Sequence, residues 1–512
     1  MSPATLSAKS VRNLLGAICL CAVLLSLGLW GTTATADRSY LKPFGPKATV
    51  SGSKLNEAPA FLNAITVNST AQSPGATGDC TLGEAIQAAN TDTAVDGCSA
   101  GSGQDTIILP AGTYTLSTVA DTFIVGATGL PAIKSNVIIQ GAGRTTTIIE
   151  RDPNAVAPFR LMGITYENAG SLVLNDVTMR GGRGENDGDT GTRGGALFSY
   201  DRPVILNNVD FIDNTAPLSG GALDSGGFVT ANNCTFTNNH SEQNGGGGGG
   251  GAISAGGITI SHSTFTGNTA STSGGGAILS PGRGAHVNIS DSTFVNNSTL
   301  AEGGALESSG TITIARSTFD GNSSVGPAGA LSLSGNVNIS YSVVINNHAT
   351  YDIGGISNYT VSGGANVLNI DHCNISNNTS DRFGGGILIQ GTTASVSNST
   401  ISGNTAGRAG GVWIDSAFLT LTNVTVAGNQ AVATGGVGQG GGMWCQGVGA
   451  ATLNNVTITG NQATSGGGGL FHHSGAVNLK NSIIALNASD DIHQFTTPLT
   501  SLGYNLWQMP EH

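Results

Sequence analysis

The sequence predicts an all-β protein whose fold is a single-stranded, right-handed parallel β-helix of about 12 or more coils, preceded by a short N-terminal capping helix. Three observations lead to this prediction. A short motif recurs eleven times between about residues 192 and 487, the copies are spaced almost evenly, and apolar residues alternate with polar ones inside them. Self-similarity at a fixed period is typical of solenoid proteins.

Each copy of the motif has two halves. The first half reads G-G-A-L, G-G-A-I or a close variant and begins at Gly194, Gly220, Gly250, Gly275, Gly303, Ala328, Gly354, Gly385, Gly410, Gly441 and Gly468. The second half carries an apolar anchor at Phe211, Phe236, Phe265, Phe294, Phe319, Val344, Ile375, Ile401, Val426, Ile458 and Ile484. Three residues after each anchor stands an asparagine: Asn214, Asn239, Asn268, Asn297, Asn322, Asn347, Asn378, Asn404, Asn429, Asn461 and Asn487. A weaker twelfth copy surrounds Met179.

Successive anchors lie 25 to 32 residues apart, which indicates one constant unit with loops of variable length. The unit is too short for two helices, and its threonine, serine, valine and isoleucine favour strands. Runs of alternating polarity, ended by glycine or asparagine, predict several short strands per coil. Coils of a parallel β-helix stack at roughly 4.8 Å, so equivalent residues should form columns. We expect an inward aromatic stack from Phe211 to Phe319 and an asparagine ladder that bonds between coils.

The alternation of G-G-A-L or G-G-A-I with F-x-x-N resembles the repeats of polymorphic outer-membrane-protein-type proteins, which fold as right-handed parallel β-helices. The resemblance covers about residues 170–490. After Phe319 the anchor becomes aliphatic, which departs from the phenylalanine of those repeats.

Composition narrows the classes of function. Only 10% of the residues are charged and the formal net charge is −12, whereas ordinary domains contain about 25% charged residues. Basic residues are few and scattered, so nucleic acid is excluded as a partner. A chain of 512 residues would ordinarily contain several domains, but the repeats predict one elongated domain instead. We expect it to be a monomer.

Residues 1–36 have the pattern of a signal peptide, with a basic region, an apolar run at 14–30 and A-T-A at 34–36 as the cleavage site. A retained membrane anchor is the alternative. No other apolar stretch reaches the 18 residues that a membrane-spanning helix needs. We therefore expect a secreted protein, extracellular or at the cell surface, with no transmembrane segment after leader removal. A polar linker is expected at 37–60.

Residues 61–125 predict a cap for the first coil. Thr81 and Glu84 have the spacing of a capping box, and Leu82 and Ile86 share one face of the helix that begins there. The terminal repeats of a solenoid need such a cap, because the end of the core would otherwise face water. The repeats themselves are expected at 126–490, and a closing segment at 491–512.

The cap region resembles the CSLREA domain, which is found at the front of exported β-helix proteins. Here the motif reads C-T-L-G-E-A, and the subsequent A-A-N, D-T-I-I-L and A-G-T-Y-T-L also match. The resemblance implies a disulfide between Cys80 and Cys98. The other cysteines after the leader, Cys234, Cys373 and Cys445, are interpreted as small buried residues.

Two stretches are candidates for a metal site. Glu185, Asp187 and Asp189 alternate with other residues in a glycine-rich loop, a spacing with which carboxylates can surround Ca²⁺. The bidentate glutamate of an EF-hand loop is missing, so a solvated loop is the alternative and no other cofactor is expected. His472 and His473 are interpreted as exposed loop residues, with a metal or acid–base role as the alternative.

Cleavage of acidic polysaccharides is a function that many β-helices perform. Glycoside hydrolysis needs two carboxyl groups about 5–9.5 Å apart. Alignment of the repeats places Asp224 and Glu307 in one column, three coils or roughly 14 Å apart, which is too far. Asp213 and Asp320 are four coils apart. A pair from different columns stays open.

The sequence therefore favours a non-catalytic exported or cell-surface protein that contacts an extracellular glycan, a host surface or a neighbouring cell. A polysaccharide lyase or glycoside hydrolase is the alternative. A cluster of acidic and basic side chains on one face of neighbouring coils would distinguish the two classes, because catalysis requires such groups within reach of one bond.

Overall fold

The computed structural model describes residues 64–507, apart from 73–74, 76–77, 123–124, 167–169, 186–191, 243–247, 272, 283, 361–365, 434–436, 448 and 495–497. The chain divides into two units, Met1–Ala60 and Phe61–His512. The first unit lies outside the described residues, and so do the predicted leader and linker. All of the described residues belong to the second unit.

The second unit is an all-β parallel β-solenoid of about 13 turns with one short helix, which confirms the predicted fold class. Its strands form three parallel sheets. Sheet I has 25 strands, and their bounds are Ala64–Thr66, Gln104–Leu109, Asn136–Gly141, Met162–Ile164, Leu172–Asn175, Leu197–Ser199, Val204–Asn207, Leu223–Asn232, Ile253–Ser261, Ile278–Ser280, His286–Ser290, Leu306–Ala315, Leu331–Ser340, Ile356–Tyr359, Val367–Asp371, Ile387–Gln390, Thr393–Ser397, Val412–Asp415, Phe418–Thr422, Met443–Gln446, Ala450–Asn454, Leu470–His472, Ala476–Lys480, Ile492–Gln494 and Thr500–Ser501.

Sheets II and III complete the circuit of each coil. The 15 strands of sheet II contain the apolar anchors, and they are Gly112–Leu116, Thr147–Arg151, Thr178–Arg180, Asp210–Ile212, Thr235–Thr237, Thr264–Thr266, Thr293–Val295, Thr318–Asp320, Val343–Ile345, Asn374–Ser376, Thr400–Ser402, Thr425–Ala427, Thr457–Thr459, Ile483–Ala485 and Leu506–Trp507. The 10 strands of sheet III come directly after the ladder asparagines, and they are Thr215–Ala216, His240–Ser241, Thr269–Ala270, Ser298–Thr299, Ser323–Ser324, His348–Ala349, Thr379–Ser380, Thr405–Ala406, Gln430–Ala431 and Gln462–Ala463.

The anchors stack on one another inside the solenoid. The five phenylalanines from Phe211 to Phe319 are all 0% exposed, with neighbouring ring centroids 4.6–5.0 Å apart and ring planes within 11° of parallel. Val344 and Ile375 continue the column in register. Because each strand pairs in parallel with the same strand of the next coil, an inward residue contacts its own equivalent, and the core has a constant cross-section.

The asparagines form a continuous hydrogen-bonded ladder. Asn268 donates its side-chain amide to Oδ1 of Asn297 over 2.9 Å and to the carbonyl of Phe236 over 2.9 Å, and its backbone N–H donates to the same Oδ1. The pattern repeats from Asn214 to Asn487. At the last step Oδ1 of Asp491 accepts from Asn487 over 2.9 Å. The ladder satisfies buried backbone groups at a bend where no sheet does so.

In each coil, the bend that precedes the first strand contributed to sheet I needs a left-handed backbone. In the early coils a glycine such as Gly303, with φ +68°, provides it. In later coils Ile353 and Ala409 occupy this position with φ +66° and +56°. The first halves from Gly354 onwards therefore begin one position earlier than the alignment of motifs suggests. The glycine of G-G has moved into the alanine position, so Gly355 is equivalent to Ala330.

One helix, Leu82–Thr91, lies near the first coils. Its capping box is present, because the backbone N–H of Glu84 donates to the Thr81 hydroxyl and the N–H of Thr81 donates to the Glu84 carboxylate. Cys80 and Cys98, with Cα atoms 4.7 Å apart, are joined by a disulfide. The strands around this helix already belong to the solenoid, since Gln104–Leu109 pairs in parallel with Asn136–Gly141.

The interpretation of His472 as an exposed loop residue is wrong. The strand Leu470–His472 includes it, and the alternation along that strand directs its side chain inward, where it is 0% exposed. Nε2 of His472 lies 3.0 Å from the carbonyl of Gly475. Burial lowers the pKa of His472, so the neutral ring is favoured.

We predict that Asn297→Ala lowers the free energy of unfolding by about 2–3 kcal/mol, because it leaves the donors of Asn268 and the carbonyl of Phe265 without partners in the interior. The control is Asn288→Ala, an exposed asparagine of sheet I, for which the change should stay within about 0.5 kcal/mol. Urea unfolding followed by circular dichroism measures both. Equal losses in the two variants would show that the ladder does not stabilise the solenoid.

Candidate functional site

Two neighbouring columns on the outside of sheet I change in residue type from coil to coil. We call these two columns the variable face. Its strand column, the outward residue of each first strand, is Phe198, Asp224, Ser254, Leu279, Glu307, Ser332, Ser357, Leu388, Trp413, Trp444, Phe471 and His493. Its rim column, the residue before the left-handed bend, is Arg193, Ser219, Gly249, Gly274, Glu302, Pro327, Asp352, Phe383, Arg408, Gln439 and Gly466.

The geometry of the first strands explains why this face is free to vary. Leu223 points into the core and Asp224, the next residue, points out. Outward residues make no contact that the stacking of coils requires, whereas inward residues must match the constant cross-section. Differences between coils in the variable face therefore do not serve packing of the interior, and they are the place to look for function.

A cleft of about 510 Å³ lies at the N-terminal end of the variable face. Arg193, Phe198, Tyr200, Asp224 and Pro281 line it together with serine, alanine and glycine residues. Tyr200 is 46% exposed, and its ring meets the rings of Tyr166 and Phe198 edge-on at 5.1 and 6.3 Å. The cleft thus combines one half-exposed aromatic ring with polar groups.

Asp224 is the buried polar group of this cleft. Its carboxylate accepts a hydrogen bond of 2.5 Å from the Ser219 hydroxyl and lies 4.0 Å from Nη1 of Arg193. Burial is the main influence on the pKa of Asp224 and raises it, while the hydrogen bond and the arginine act in the opposite direction. Under the ring of Phe198 lies the guanidinium of Arg160, 5.0 Å from the centroid.

Two glutamates of one coil, Glu302 and Glu307, lie in the middle of the variable face. The carboxylate of Glu302 accepts hydrogen bonds from the Ser332 hydroxyl at 2.9 Å and from the Tyr359 hydroxyl at 3.5 Å. Glu307 lies over Gly274, whose missing side chain leaves room for the carboxyl group. Burial, and then the charge of Glu302, raise the pKa of Glu307 to about 7. One carboxyl group is therefore hydrogen-bonded and the other is largely desolvated.

Motif alignment did not find this pair. The register confirms that Asp224 and Glu307 are three coils apart in one column. Glu302 belongs to the same coil as Glu307 but to the rim column, and the left-handed bend at Gly303 brings the two columns side by side. The sequence does contain a signal for this pair. Among the eleven copies of the motif, only the one that begins at Gly303 has an acidic residue, Glu302, immediately before its first half.

The C-terminal part of the variable face is aromatic. The rings of Phe383 and Trp413 are 5.5 Å apart, those of Trp413 and Trp444 are 5.6 Å apart, and both pairs meet edge-on. The guanidinium of Arg408 lies between Phe383 and Trp444. The variable face therefore carries three kinds of group along its length: the cleft at Tyr200, the two glutamates, and the aromatic rings with Arg408.

The other predicted site residues lie elsewhere. Of the calcium candidates, only Glu185 falls within the described residues, where it is partly exposed, and Asp187 and Asp189 lie outside them. Within the described ranges no group of three histidine, cysteine or acidic residues could hold a metal ion. In the same ranges no helix is long and apolar enough to cross a membrane.

Cys234, Cys373 and Cys445 are buried free thiols. Cys234 and Cys373 continue a column of serines, and their backbone N–H groups donate to Ser263 and Ser399 of the next coil. Burial raises the pKa of Cys234 and Cys445 to about 12 and that of Cys373 to about 11. Such thiols are unreactive at neutral pH.

Comparison with known proteins gives a partial family match and distant structural similarities. Residues 262–281 and 455–472 match the model of the Chlamydia polymorphic membrane protein repeat. No curated protein matches the sequence. The A-module of the Azotobacter vinelandii mannuronan C-5 epimerase AlgE6 is 15% identical, with 80% of this chain and 92% of that chain covered and a TM-score of 0.34.

Two further solved structures are similar to the same degree. The periplasmic alginate epimerase AlgG is 9% identical, with 87% of this chain and 95% of that chain covered and a TM-score of 0.33. The catalytic unit of the GH87 α-1,3-glucanase from Streptomyces thermodiastaticus is 14% identical, with 78% and 63% covered and a TM-score of 0.34. Similarity at this level does not bear on what this protein does.

We predict that Glu307→Gln stabilises the protein more at pH 8 than at pH 4. At pH 4 Glu307 is protonated in both the folded and the unfolded chain. As the pH rises from 4.5 to about 7, the unfolded chain loses this proton and the folded chain keeps it, so the free energy of unfolding of the wild type falls. The difference between variant and wild type should grow by up to about 3 kcal/mol.

Urea unfolding of both proteins between pH 4 and pH 8 measures this difference. Glu242→Gln, the same chemical change at a more exposed site, is the control and should show a much smaller trend. A stability difference for Glu307→Gln that does not change with pH would contradict the assignment.

Proposed function

We propose that the protein is exported and contacts an extracellular glycan along the variable face, with the cleft at Tyr200 as one subsite. The cleft has the size of a small-molecule site, which typically measures about 300–1,000 Å³. Its lining carries this proposal: a half-exposed aromatic ring stands beside the fixed charges of Arg193 and Asp224. A sugar ring has apolar C–H faces and hydroxyl edges, so it can lie on the aromatic ring while its hydroxyls bond to the charges.

The partial match to the Chlamydia polymorphic membrane protein repeat supports a place at the cell surface. We further propose that the chain consists of a leader at 1–36, a linker at 37–60, a CSLREA-type cap at 61–125, repeats at 126–490 and a closing segment at 491–512. In this proposal the disulfide at Cys80 fastens the cap in an oxidising compartment. The mature protein acts as a monomer whose ligand-binding face runs along the coil axis.

Glycoside hydrolysis is a second candidate function, and the unequal environments of Glu302 and Glu307 favour it. A carboxyl group whose pKa is raised toward neutrality, as that of Glu307 is, is typical of a general acid. In this mechanism the neutral Glu307 gives its proton to the glycosidic oxygen as the bond to the anomeric carbon breaks. Glu302 accepts a proton from the water that attacks this carbon, so one water is consumed for each bond cleaved.

We predict that Tyr200→Ala weakens glycan binding about tenfold, which corresponds to about 1.4 kcal/mol. A glycan array with the wild type identifies the ligand, and isothermal titration calorimetry compares the variants. The control is Tyr341→Ala, which removes a tyrosine that is 58% exposed and lies outside the variable face. Binding that is equally sensitive to both substitutions, or an array without any ligand, would refute the proposal.

For the second candidate, incubation with polysaccharides should release new reducing ends, and Glu302→Gln and Glu307→Gln should each abolish that release. Both variants keep the side-chain volume, and the distant Glu242→Gln should retain full activity. Absence of reducing ends with every glycan that binds would leave binding as the only function of this face. Cleavage that survives in both variants would place the chemistry elsewhere.

A further inference from the structure

The C-terminal part of the variable face contains a cation held between aromatic rings. The guanidinium carbon of Arg408 lies 5.2 Å from the ring centroid of Phe383 and 4.4 Å from that of Trp444. The ring of Trp413 meets both aromatic neighbours edge-on. We call Phe383, Arg408, Trp413 and Trp444 the arginine–tryptophan cluster.

This cluster is separate from the interior core. Trp413 and Trp444 occupy the strand column, so their side chains leave sheet I on its outer side. They pack with Ala409 and Phe471 in an apolar group that is distinct from the core of the solenoid. Trp444 is 2% exposed, although the stacking of coils does not require a residue of its size on this side.

Three N–H donors of the cluster lack acceptors. Nε of Arg408 and Nε1 of both Trp413 and Trp444 are buried and make no hydrogen bond with the described residues. A buried donor without a partner destabilises the folded chain. Three in one cluster are unusual, since native interiors pair nearly all such groups.

The charge of Arg408 is also uncompensated. Among the described residues, no carboxylate lies within 4.0 Å of its guanidinium. Burial lowers the pKa of Arg408, because the rings keep water from the cation. Asp352 interacts with Arg382, although its Oδ1 makes no hydrogen bond with the described residues. Asp415 accepts a hydrogen bond from Gln390 at 3.0 Å.

We propose that the arginine–tryptophan cluster binds an acidic unit of the glycan chain, with the anionic group of the sugar on Arg408 and its ring beside the tryptophans. This proposal rests on the proposed function and names the class of ligand. The cluster offers only donors and one positive charge, so it selects a ligand that is rich in acceptors and anionic. A guanidinium presents two parallel donors to an anionic group. Uronate and sulfated sugars share this chemistry.

The position of the cluster restricts where the acidic unit binds. Trp413 lies four coils beyond Glu307 in the strand column, which is roughly 19 Å. The carboxylate of Glu302 would repel an anionic sugar in the middle of the face, whereas Arg382 and Arg408 attract it at this end. A glycan that extends along the whole face would place its acidic unit on the cluster.

The test compares three oligosaccharides of equal length, one neutral, one containing uronate and one sulfated, by calorimetry and by tryptophan fluorescence. Arg408→Gln should weaken binding of an acidic oligosaccharide at least tenfold and leave the neutral one unchanged. Arg408→Lys should not restore binding, because an ammonium group has no planar edge. Trp413→Phe keeps an aromatic ring but removes one donor, and should weaken acidic binding a few-fold. Arg316→Gln, at an exposed arginine outside the face, is the control.

The outcomes separate this inference from the proposed function. If acidic oligosaccharides bind and respond to Tyr200→Ala but not to Arg408→Gln or Trp413→Phe, the inference fails and glycan contact stands. If only neutral oligosaccharides bind, the inference also fails and glycan contact also stands. If none binds, both fail. Selective loss of uronate or of sulfate binding in Arg408→Gln identifies which anion the cluster takes. Thermal unfolding shows whether Arg408→Gln is folded, and Trp413→Phe decides the question if it is not.

Discussion

The structure depends on one constraint: each coil pairs in parallel, residue for residue, with the next. Backbone hydrogen bonds fix the distance between coils, so every inward residue contacts its own equivalent and every bend must repeat. The asparagine ladder meets the same condition at a bend where no strand is available, with each Oδ1 accepting from both the side chain and the backbone of the previous asparagine. A coil that departed from this geometry would break pairing on both of its sides.

The constraint also determines where function can lie. Inward columns are uniform because the cross-section is constant, and the outward residues of sheets II and III are mostly small and polar. The variable face differs from coil to coil, with Asp224 in the cleft, the glutamate pair in the middle and Arg408 between rings. A polymer that runs along the coil axis would meet these groups in sequence, which is why an extended ligand suits the face better than a compact one.

Residue patterns predicted the solenoid correctly because its determinants are local and repeated. F-x-x-N places Phe294 inside and Asn297 at the bend wherever it occurs, and Thr81 and Glu84 cap their helix from three residues apart. The same patterns gave wrong predictions where the position of a strand or a bend differs from the motif by one or two residues. His472 looked like part of a loop, yet the strand continues through it and buries it. The G-G signal likewise misplaced the later bends, because Ile353 takes a conformation usually left to glycine.

The sequence alone determined the fold class, the inward stack and the ladder, because each depends on the identity of residues at a fixed spacing. Only the tertiary structure decided which outward residues meet. Glu302 and Glu307 become partners through the bend between the rim and strand columns, and Arg408 reaches Phe383 and Trp444 from neighbouring coils. These encounters join residues that the motif does not align with one another. They depend on how side chains of different columns pack together, and the spacing of residues in the sequence does not predict that packing.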